Sequence, residues 1–325
     1  MKGYWIRTEG GAMRLELRDV PRPEPGEGQV RLRIRAAALN RGELIAGHGL
    51  HAASTQARPA GFEAAGEVEA LGAGVTGLRV GDRVMGRCDG AFAEYGCMHE
   101  REAHVVPAAL NWEQGACTTV AYGTAHDALM AQGRLQAGEW VLIAGVSSGV
   151  GIAALQVAKA LGARVIGTSG SSEKLARAQA LGLDVALHTR GSGVAEATLE
   201  ATQGRGADLA VNNIGGSVFA VCVDALAFEG RMATVGYVDG VIRAEIDILA
   251  LHKKRLHLFG VSTKLRTLQH RAEAARRFAE DLMPYFADGR IAPVIDRVYP
   301  FARLEEAQKD MEANRQVGKL VLKMD

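Results

Sequence analysis

The sequence lacks any run of 18 apolar residues, and its first residues lack the apolar core of a secretory signal peptide. It has only four cysteines, Cys88, Cys97, Cys117 and Cys222, whose spacings exclude a disulfide framework and a zinc ribbon. Neither charge is in excess, because 38 Lys and Arg residues face 37 Asp and Glu residues. We therefore expect a soluble, cytoplasmic protein with no nucleic-acid or membrane partner.

The 325 residues, 48% of them hydrophobic, are enough for two domains with separate cores. The first part of the chain favours β-structure. Residues 29–35 alternate apolar and charged side chains, which is typical of a half-buried strand. Further short strands at 66–72 and 81–86 are bounded by glycine, and this spacing favours a barrel or sandwich.

From residue 122 onward, short apolar runs alternate with helical patterns, clearest at 151–161 and 172–181. This alternation predicts βαβ units and a doubly wound parallel sheet of the Rossmann type. The runs are 140–144, 163–168, 184–187, 207–211, 231–235 and 256–261. Strand patterns return at the end of the chain, on either side of a helical segment. The sequence thus predicts a dinucleotide-binding domain over 122–289 and a β-rich domain formed by 1–121 and 290–325.

The segment Gly145–Gly151 lies directly after a buried strand and directly before a helix. In this context glycines let the backbone turn sharply and approach a pyrophosphate, whose charge the helix start stabilises. An ordinary glycine-rich turn is the alternative, and the six alternating strands disfavour it. The predicted cofactor contacts in this loop are Ser147, Ser148, Gly149 and Val150.

The second Rossmann strand runs into Thr168–Lys174, where an acidic residue would bind a ribose 2′-hydroxyl and select NAD. Here Ser169, Ser171 and Lys174 leave room for a 2′-phosphate, so we predict NADPH as the cofactor. Glu173 is the opposing feature, since its charge would repel a phosphate if it pointed inward. Lys174 could instead be a solvated helix residue.

Several short motifs occur in an order and spacing that are more specific than any one of them. They are Leu39-Asn40, Gly61-Phe62-Glu63-Ala64-Ala65-Gly66, Gly81-Asp82-Arg83-Val84, Gly90-Ala91-Phe92-Ala93-Glu94-Tyr95, the loop at Gly145 and Asn213-Ile214-Gly215-Gly216. With them, nearly the whole chain resembles the quinone oxidoreductase branch of the medium-chain dehydrogenase/reductase superfamily. The resemblance implies a Rossmann domain joined to a GroES-like barrel domain. Short-chain reductases do not fit, because no tyrosine has a lysine four residues later.

The resemblance also implies further cofactor contacts. Asn40 matches an asparagine near the nicotinamide, and Thr124 matches a threonine that contacts the cofactor. Asn213 follows the fourth Rossmann strand, and Gly236 and Tyr237 follow the fifth. Polar residues that cap turns are the alternative for Asn40, Thr124 and Asn213. The resemblance further implies a homodimer that pairs through the last Rossmann strand, against the alternative of a monomer with a covered edge.

Zinc-dependent relatives carry a histidine where this chain has Phe62, and no cysteine occurs over residues 38–43. We therefore expect no metal, and we expect hydride transfer to a conjugated acceptor such as a quinone or an enone. The developing enolate needs hydrogen-bond donors and a proton source. The catalytic candidates are Asn40, His48, Tyr122 and Tyr237. The family's usual tyrosine is replaced by Ile45, which suggests a different or larger substrate.

Three other functions remain open from the sequence. The first is an NADPH-binding protein without catalytic activity. The second is an enoyl-thioester reductase, which would need a basic patch, to which Arg41, Arg58 and Lys264 could contribute. The third is a zinc alcohol dehydrogenase with atypical ligands.

Overall fold

A computed structural model describes residues 1–45, 56–189 and 191–324. The strands are β1 (Lys2–Glu9), β2 (Ala12–Asp19), β3 (Gln29–Ala38), β4 (Arg58–Pro59), β5 (Glu63–Leu71), β6 (Arg83–Arg87), β7 (Tyr95–His99), β8 (Ala103–Val105), β9 (Trp140–Ala144), β10 (Arg164–Thr168), β11 (Val185–Leu187), β12 (Ala207–Asn212), β13 (Leu226–Thr234), β14 (His257–Gly260), β15 (Ile295–Pro300) and β16 (Lys319–Lys323). The helices are α1 (Arg41–Leu44), α2 (Trp112–Ala116), α3 (Thr119–His126), α4 (Gly149–Ala160), α5 (Ser172–Ala180), α6 (Val194–Ala201), α7 (Phe219–Asp224), α8 (Ile248–Lys254), α9 (Leu268–Ala287) and α10 (Leu304–Glu312).

The structure divides into two compact units. The first consists of Met1–Gly123 and Lys264–Asp325, and the second of Thr124–Thr263. The sequence analysis placed the boundaries at 121 and 289, so the second boundary falls about one helix earlier than expected. The intervening helix is α9, which belongs to the first unit.

The packing of α9 explains this difference. Its side chains Ala272, Phe278, Leu282 and Phe286 are buried. Arg271 forms an ion pair with the buried Glu102 of the first unit, at 2.7 Å between Nε and Oε1. A helical pattern in the sequence shows that an apolar face exists but not which core it covers. Of the helices that the structure describes, neither α9, with 20 residues, nor any other is apolar and long enough to cross a membrane.

The first unit contains a sheet in the order β15-β16-β3-β5-β6-β8, with β7 also paired to β3, and a small sheet in the order β2-β1-β4. In β3 the alternation predicted from the sequence is confirmed, because Val30, Leu32 and Ile34 are buried. Between them, Arg31 bonds to Glu69 across the sheet, at 2.8 Å between Nε and Oε2. The burial of alternate side chains on one face therefore fixes the register of β3.

The hairpin formed by β1 and β2 was not predicted. Glu9 pairs with Ala12, so the turn consists of Gly10 and Gly11. Both glycines have positive φ, at 58° and 80°. Two consecutive residues with positive φ make the turn type that matches the twist of two-residue hairpins. The Gly-Gly pair was thus a usable signal in the sequence.

The second unit contains a six-stranded sheet in the order β11-β10-β9-β12-β13-β14. All of its neighbouring strands are parallel. The predicted doubly wound fold is confirmed. The strand order reverses between β9 and β12, and in such sheets ligands bind at the carboxyl ends of the strands beside that point.

Candidate functional site

The turn between β9 and α4 can be formed only with glycine at its two ends. Gly145 has a φ of 77°, a conformation that favours glycine. A Cβ atom on Gly151 would lie 2.4 Å from the carbonyl oxygen of Gly145 and 2.5 Å from that of Val146. The start of α4 is therefore packed directly against the end of β9, with no room for a side chain.

Ser148 caps α4, a helix of twelve residues. Its Oγ accepts a hydrogen bond from Gly151 N at 3.0 Å and donates one to Gly145 O at 2.9 Å. The first backbone bond of the helix runs from Ile152 N to Ser148 O. The N–H groups of Gly149 and Val150 precede it and have no partner within the helix. These two groups, with the helix dipole behind them, can bind an anion.

A second loop lies beside this turn, because β10 pairs with β9 through Thr168 and Ala144. Ser169 follows β10 and is buried, and its Oγ lies 3.5 Å from the Oγ of Ser147. Ser171 caps α5 by accepting a hydrogen bond from Lys174 N at 3.3 Å. The structure thus brings the predicted serines of both loops to one edge of the sheet.

Lys174 and Glu173 lie in the first turn of α5 and differ in exposure. Lys174 is half-buried, whereas Glu173 is exposed to solvent. The acidic side chain is therefore the more solvated of the two. This difference in exposure favours a positive rather than a negative potential at the loop, because the charge of Glu173 is the more screened by solvent.

Asn213 lies after β12, next to the turn at Gly145. Its backbone N and its Nδ2 both donate to Ala144 O, at 3.3 Å and 3.2 Å. Its Oδ1 is buried and accepts no hydrogen bond within the part of the chain that the structure describes. A buried acceptor without a partner is costly and marks a place where a ligand can supply the donor.

Asn212, which the sequence analysis did not single out, shapes the same loop. Its Oδ1 accepts from Ile214 N at 2.9 Å and from Gly215 N at 3.0 Å. Its Nδ2 donates to Gly215 O at 2.9 Å. The side chain thereby holds the backbone that positions Asn213. A pair of polar residues closing an otherwise buried strand was the signal that could have identified it.

The remaining predicted residues of the second unit lie near strand and helix ends. Gly236 follows β13, and its N–H points to Asn212 O at 3.4 Å. Tyr237 is exposed and begins a turn that Gly240 N closes on its carbonyl oxygen. Thr124 is half-buried in α3. The roles of these residues stay predictions.

In the first unit, Asn40 belongs to a buried polar cluster, which we define as Asn40, Glu43, Glu63 and Lys319. The Asn40 Nδ2 donates to Glu43 Oε1 at 3.1 Å and to Glu63 Oε1 at 3.0 Å. Its Oδ1 accepts from Lys319 Nζ at 2.6 Å. Lys319 also donates to Glu63 Oε1 and to Leu39 O, each at 2.9 Å. The sequence analysis found Asn40 but not the three charged residues around it.

Glu43 is held in its neutral form. Burial raises its pKa to about 8, and the nearby charge of Glu63 acts in the same direction. Its Oε1 already accepts from the backbone N and the Nδ2 of Asn40. The proton therefore lies on Oε2, which is buried without a partner among the described residues.

Two of the catalytic candidates gain no support. Tyr122 is 2% exposed, and its ring packs against Phe286 with 5.1 Å between centroids. Burial raises its pKa well above the usual range, so it is a poor proton donor and fits a packing role. His48 lies outside the described residues.

The position that binds zinc in metal-dependent relatives carries Phe62, whose ring lies 5.1 Å beneath the Arg87 guanidinium. Cys88 and Cys117 are buried, and burial raises the pKa of both thiols. Within residues 1–45, 56–189 and 191–324, no three His, Cys, Asp or Glu side chains are grouped so as to hold a metal. The donor groups described here do not fit a catalytic zinc ion.

The arginines considered for a basic patch differ. Arg41 donates to Met311 O at 2.7 Å and to Asn314 Oδ1 at 2.8 Å, so it serves the packing of the first unit. Arg58 is half-buried, and desolvation lowers its pKa. Its Nη2 is buried without a partner among the described residues. Arg58 is therefore better placed than Arg41 to bind an anionic group.

Two parts of the chain match known protein families. Residues 26–108 match the alcohol dehydrogenase GroES-like domain, which confirms the expected class of the first unit. Residues 149–280 match the zinc-binding dehydrogenase family. That description names zinc, whereas the described side chains of this protein provide no zinc site.

Individual relatives extend the similarity to the whole chain. The quinone oxidoreductase of Pseudomonas aeruginosa is 30% identical over 315 residues, which are 96% of each chain. The mycocerosic acid synthase-like polyketide synthase of Mycobacterium tuberculosis is 30% identical over 98% of this chain, which spans only 15% of that protein. A mycobacterial protein solved in complex with NADPH is 27% identical with a TM-score of 0.88, covering 99% of this chain and 100% of that one.

Proposed function

The chain belongs to the medium-chain dehydrogenase/reductase superfamily, in its quinone oxidoreductase-like branch, and we propose that it is a zinc-independent, NADPH-dependent oxidoreductase. The proposed reaction is hydride transfer to a conjugated acceptor, such as a quinone, an enone or a similar activated double bond. The observation that carries this proposal is the glycine turn of β9 and α4 with the serine-rich loop of Lys174 beside it.

The residues at this edge of the sheet fit NADPH. The N–H groups of Gly149 and Val150 would bind the pyrophosphate, since they lie at the start of α4 without a partner within the helix. Ser171 and Lys174 would hold a 2′-phosphate, and Ser169 would line the same pocket. The partnerless Oδ1 of Asn213 would accept a hydrogen bond from a hydroxyl or amide of the cofactor. The mycobacterial neighbour in complex with NADPH supports this choice.

The donor groups of the described side chains do not fit a zinc ion, and this supports the proposed chemistry. Bound NADPH supplies the hydride. A conjugated acceptor can take it at the β-carbon while negative charge develops on a remote oxygen, so the protein needs hydrogen-bond donors and a proton rather than an activated alcohol. We propose water as the proton source and the exposed Tyr237 as a hydrogen-bond donor. Tyr122 is left out because of its burial.

Turnover with both cofactors tests the proposal. We expect purified protein to oxidise NADPH with at least one class among quinones, enones and enoyl thioesters, and to oxidise NADH at least about tenfold more slowly, since one charge-assisted contact is worth that much. NADPH binding without consumption across all three classes would instead favour a non-catalytic NADPH-binding protein.

Metal analysis tests the zinc-independent part separately. Without a group of three or four N, S or O ligands, zinc is not held tightly. We expect elemental analysis to find much less than one zinc per chain, and a chelator to leave NADPH oxidation unchanged. Stoichiometric zinc together with inactivation by the chelator would instead identify an alcohol dehydrogenase with atypical ligands.

An enoyl-thioester reductase is the second candidate, favoured by the polyketide synthase relatives and by Arg58. In that case Arg58 would bind an anionic group of the thioester carrier. We expect Arg58→Met to lower kcat/KM for an enoyl-CoA by about tenfold, the value of one charge-assisted contact, and to leave small enones unaffected. Arg79→Met, which changes an exposed arginine of the same unit, is the control. Equal effects on both substrates would argue against this candidate.

We also propose a homodimer. Among the described strands, β14 is the last of the parallel sheet and pairs only with β13. An exposed strand edge is a ready surface for pairing with a second copy. Light scattering of the purified protein would give the mass, and a monomer at micromolar concentration would contradict the proposal.

A further inference from the structure

The buried polar cluster determines what the Asn40 side chain can offer to a ligand. Both N–H groups of its Nδ2 are used, one by Glu43 and the other by Glu63. Its Oδ1 accepts one hydrogen bond from Lys319, and a carbonyl oxygen has two lone pairs. Asn40 can therefore accept one more hydrogen bond but has none left to donate.

The orientation of this amide is fixed by charge. Turning it by 180° would place its NH₂ group against the Lys319 ammonium and its oxygen against two carboxyl groups. Lys319 cannot adapt, because its three N–H groups are already used by Leu39, Asn40 and Glu63. Glu63 is held in turn by Val120 N, which donates to its Oε2 at 2.8 Å.

We propose that Glu43, Glu63 and Lys319 are positioning residues that hold Asn40 as a hydrogen-bond acceptor for the reacting ligands. This inference rests on the proposed function. It excludes Asn40 from donating to the developing enolate oxygen and assigns it an N–H or O–H group of a bound ligand. The arrangement requires Glu43 to be neutral, because the Lys319 ammonium then faces a single carboxylate, that of Glu63.

Ionisation of Glu43 would upset this balance. The charged groups around it are Glu63 on β5, Lys319 on β16 and Arg58 on β4, and the buried thiol of Cys117 after α2 lies near Lys319 and Glu63. Arg58 interacts with Glu43 only through its charge, without a hydrogen bond. A second carboxylate on the same Asn40 amide would therefore lack a bonded cation in a buried site, which displaces the amide.

The pH profile of turnover tests the positioning role. At saturating NADPH we expect kcat of the wild type to fall about tenfold between pH 7 and pH 9, as a group with a pKa of about 8 loses its proton. Glu43→Gln cannot ionise, so its ratio of kcat at pH 9 to kcat at pH 7 should be about tenfold higher. Glu102→Gln, a change at another buried carboxylate of the first unit, should keep the wild-type ratio.

A second readout does not depend on activity. Burial raises the pKa of Glu43 in the folded state from its usual 4.5 to about 8, so the folded state binds the extra proton between these values. Stability contributed by this proton is lost as the pH rises through that window. We expect the melting temperature of the wild type to fall, relative to Glu43→Gln, from pH 5 to pH 8.

The outcomes distinguish failure of the positioning role from failure of the proposed function. If the melting temperatures of the wild type and Glu43→Gln change in parallel with pH, Glu43 holds no buried proton and the inference is overturned. Equal kcat ratios in the wild type and Glu43→Gln would overturn the positioning role even if the melting curves diverge. Diverging curves in a protein that oxidises no NADPH would remove the proposed function and, with it, the assignment of Asn40 to reacting ligands.

Discussion

Replacing Gly151 by alanine is expected to weaken NADPH binding at least about 100-fold, which corresponds to about 3 kcal/mol. The new Cβ would lie 2.4 Å from Gly145 O and 2.5 Å from Val146 O, and both are backbone atoms that no side-chain rotation can move. Relief requires the start of α4 to move away from β9, which displaces the N–H groups of Gly149 and Val150. Titration of NADPH fluorescence would measure the loss.

Gly77→Ala is a matched control for this prediction. Gly77 is exposed, and a Cβ there would meet only the end of the Glu100 side chain, at 3.4 Å. We expect this variant to bind NADPH as the wild type does. Circular dichroism of Gly151→Ala would show whether the parallel sheet still forms. If a folded Gly151→Ala binds NADPH normally, the turn does not hold the pyrophosphate.

Lys174→Ala is expected to reduce the preference for NADPH over NADH by about tenfold to a hundredfold, because a charge-assisted hydrogen bond contributes about 1.5–3 kcal/mol. The affinity for NADPH should fall while that for NADH changes little, since NADH has no 2′-phosphate. Lys174 is half-buried in the first turn of α5, the helix that Ser171 caps. The ratio of kcat/KM values for the two cofactors would measure the change.

Two neighbours on α5 serve as controls. Arg177→Ala removes an exposed positive charge one turn later, so a small general effect of charge would appear there as well. Glu173→Ala should leave the preference unchanged if its exposed side chain points to solvent. An unchanged preference in Lys174→Ala would show that the 2′-phosphate lies elsewhere.

The second unit was the more predictable from sequence, for a physical reason. Strands buried on both faces, such as β9, leave continuous apolar runs, and the turn that must approach a phosphate leaves glycines. Both signals are local, so the six strands and the loop at Gly145 could be predicted together. The serines after β10 could also be predicted to lie at the edge of the sheet, because they directly follow the end of a strand.

The first unit was less predictable because its contacts join distant parts of the chain. Glu63 and Lys319 are 256 residues apart, and the sequence around neither residue predicts a buried ion pair. The helix α9 was predicted to belong to the second domain but clusters with the first unit, because its amphipathic pattern is equally compatible with either core. Tyr122 was proposed from its neighbourhood in sequence, which gives no measure of burial.

The discontinuity of the first unit has a consequence for biosynthesis. Its β5, β3 and α1 emerge from the ribosome early, whereas β15 and β16 come last. Until Lys319 emerges, Glu63 has no ammonium partner and the Asn40 Oδ1 lacks the cation that donates to it. The second unit is one continuous segment that contains all of its own strands, so it can fold before Lys319 has been synthesised. The second unit can therefore fold before the unit that carries Asn40, whose polar cluster needs Lys319 from a distant part of the chain.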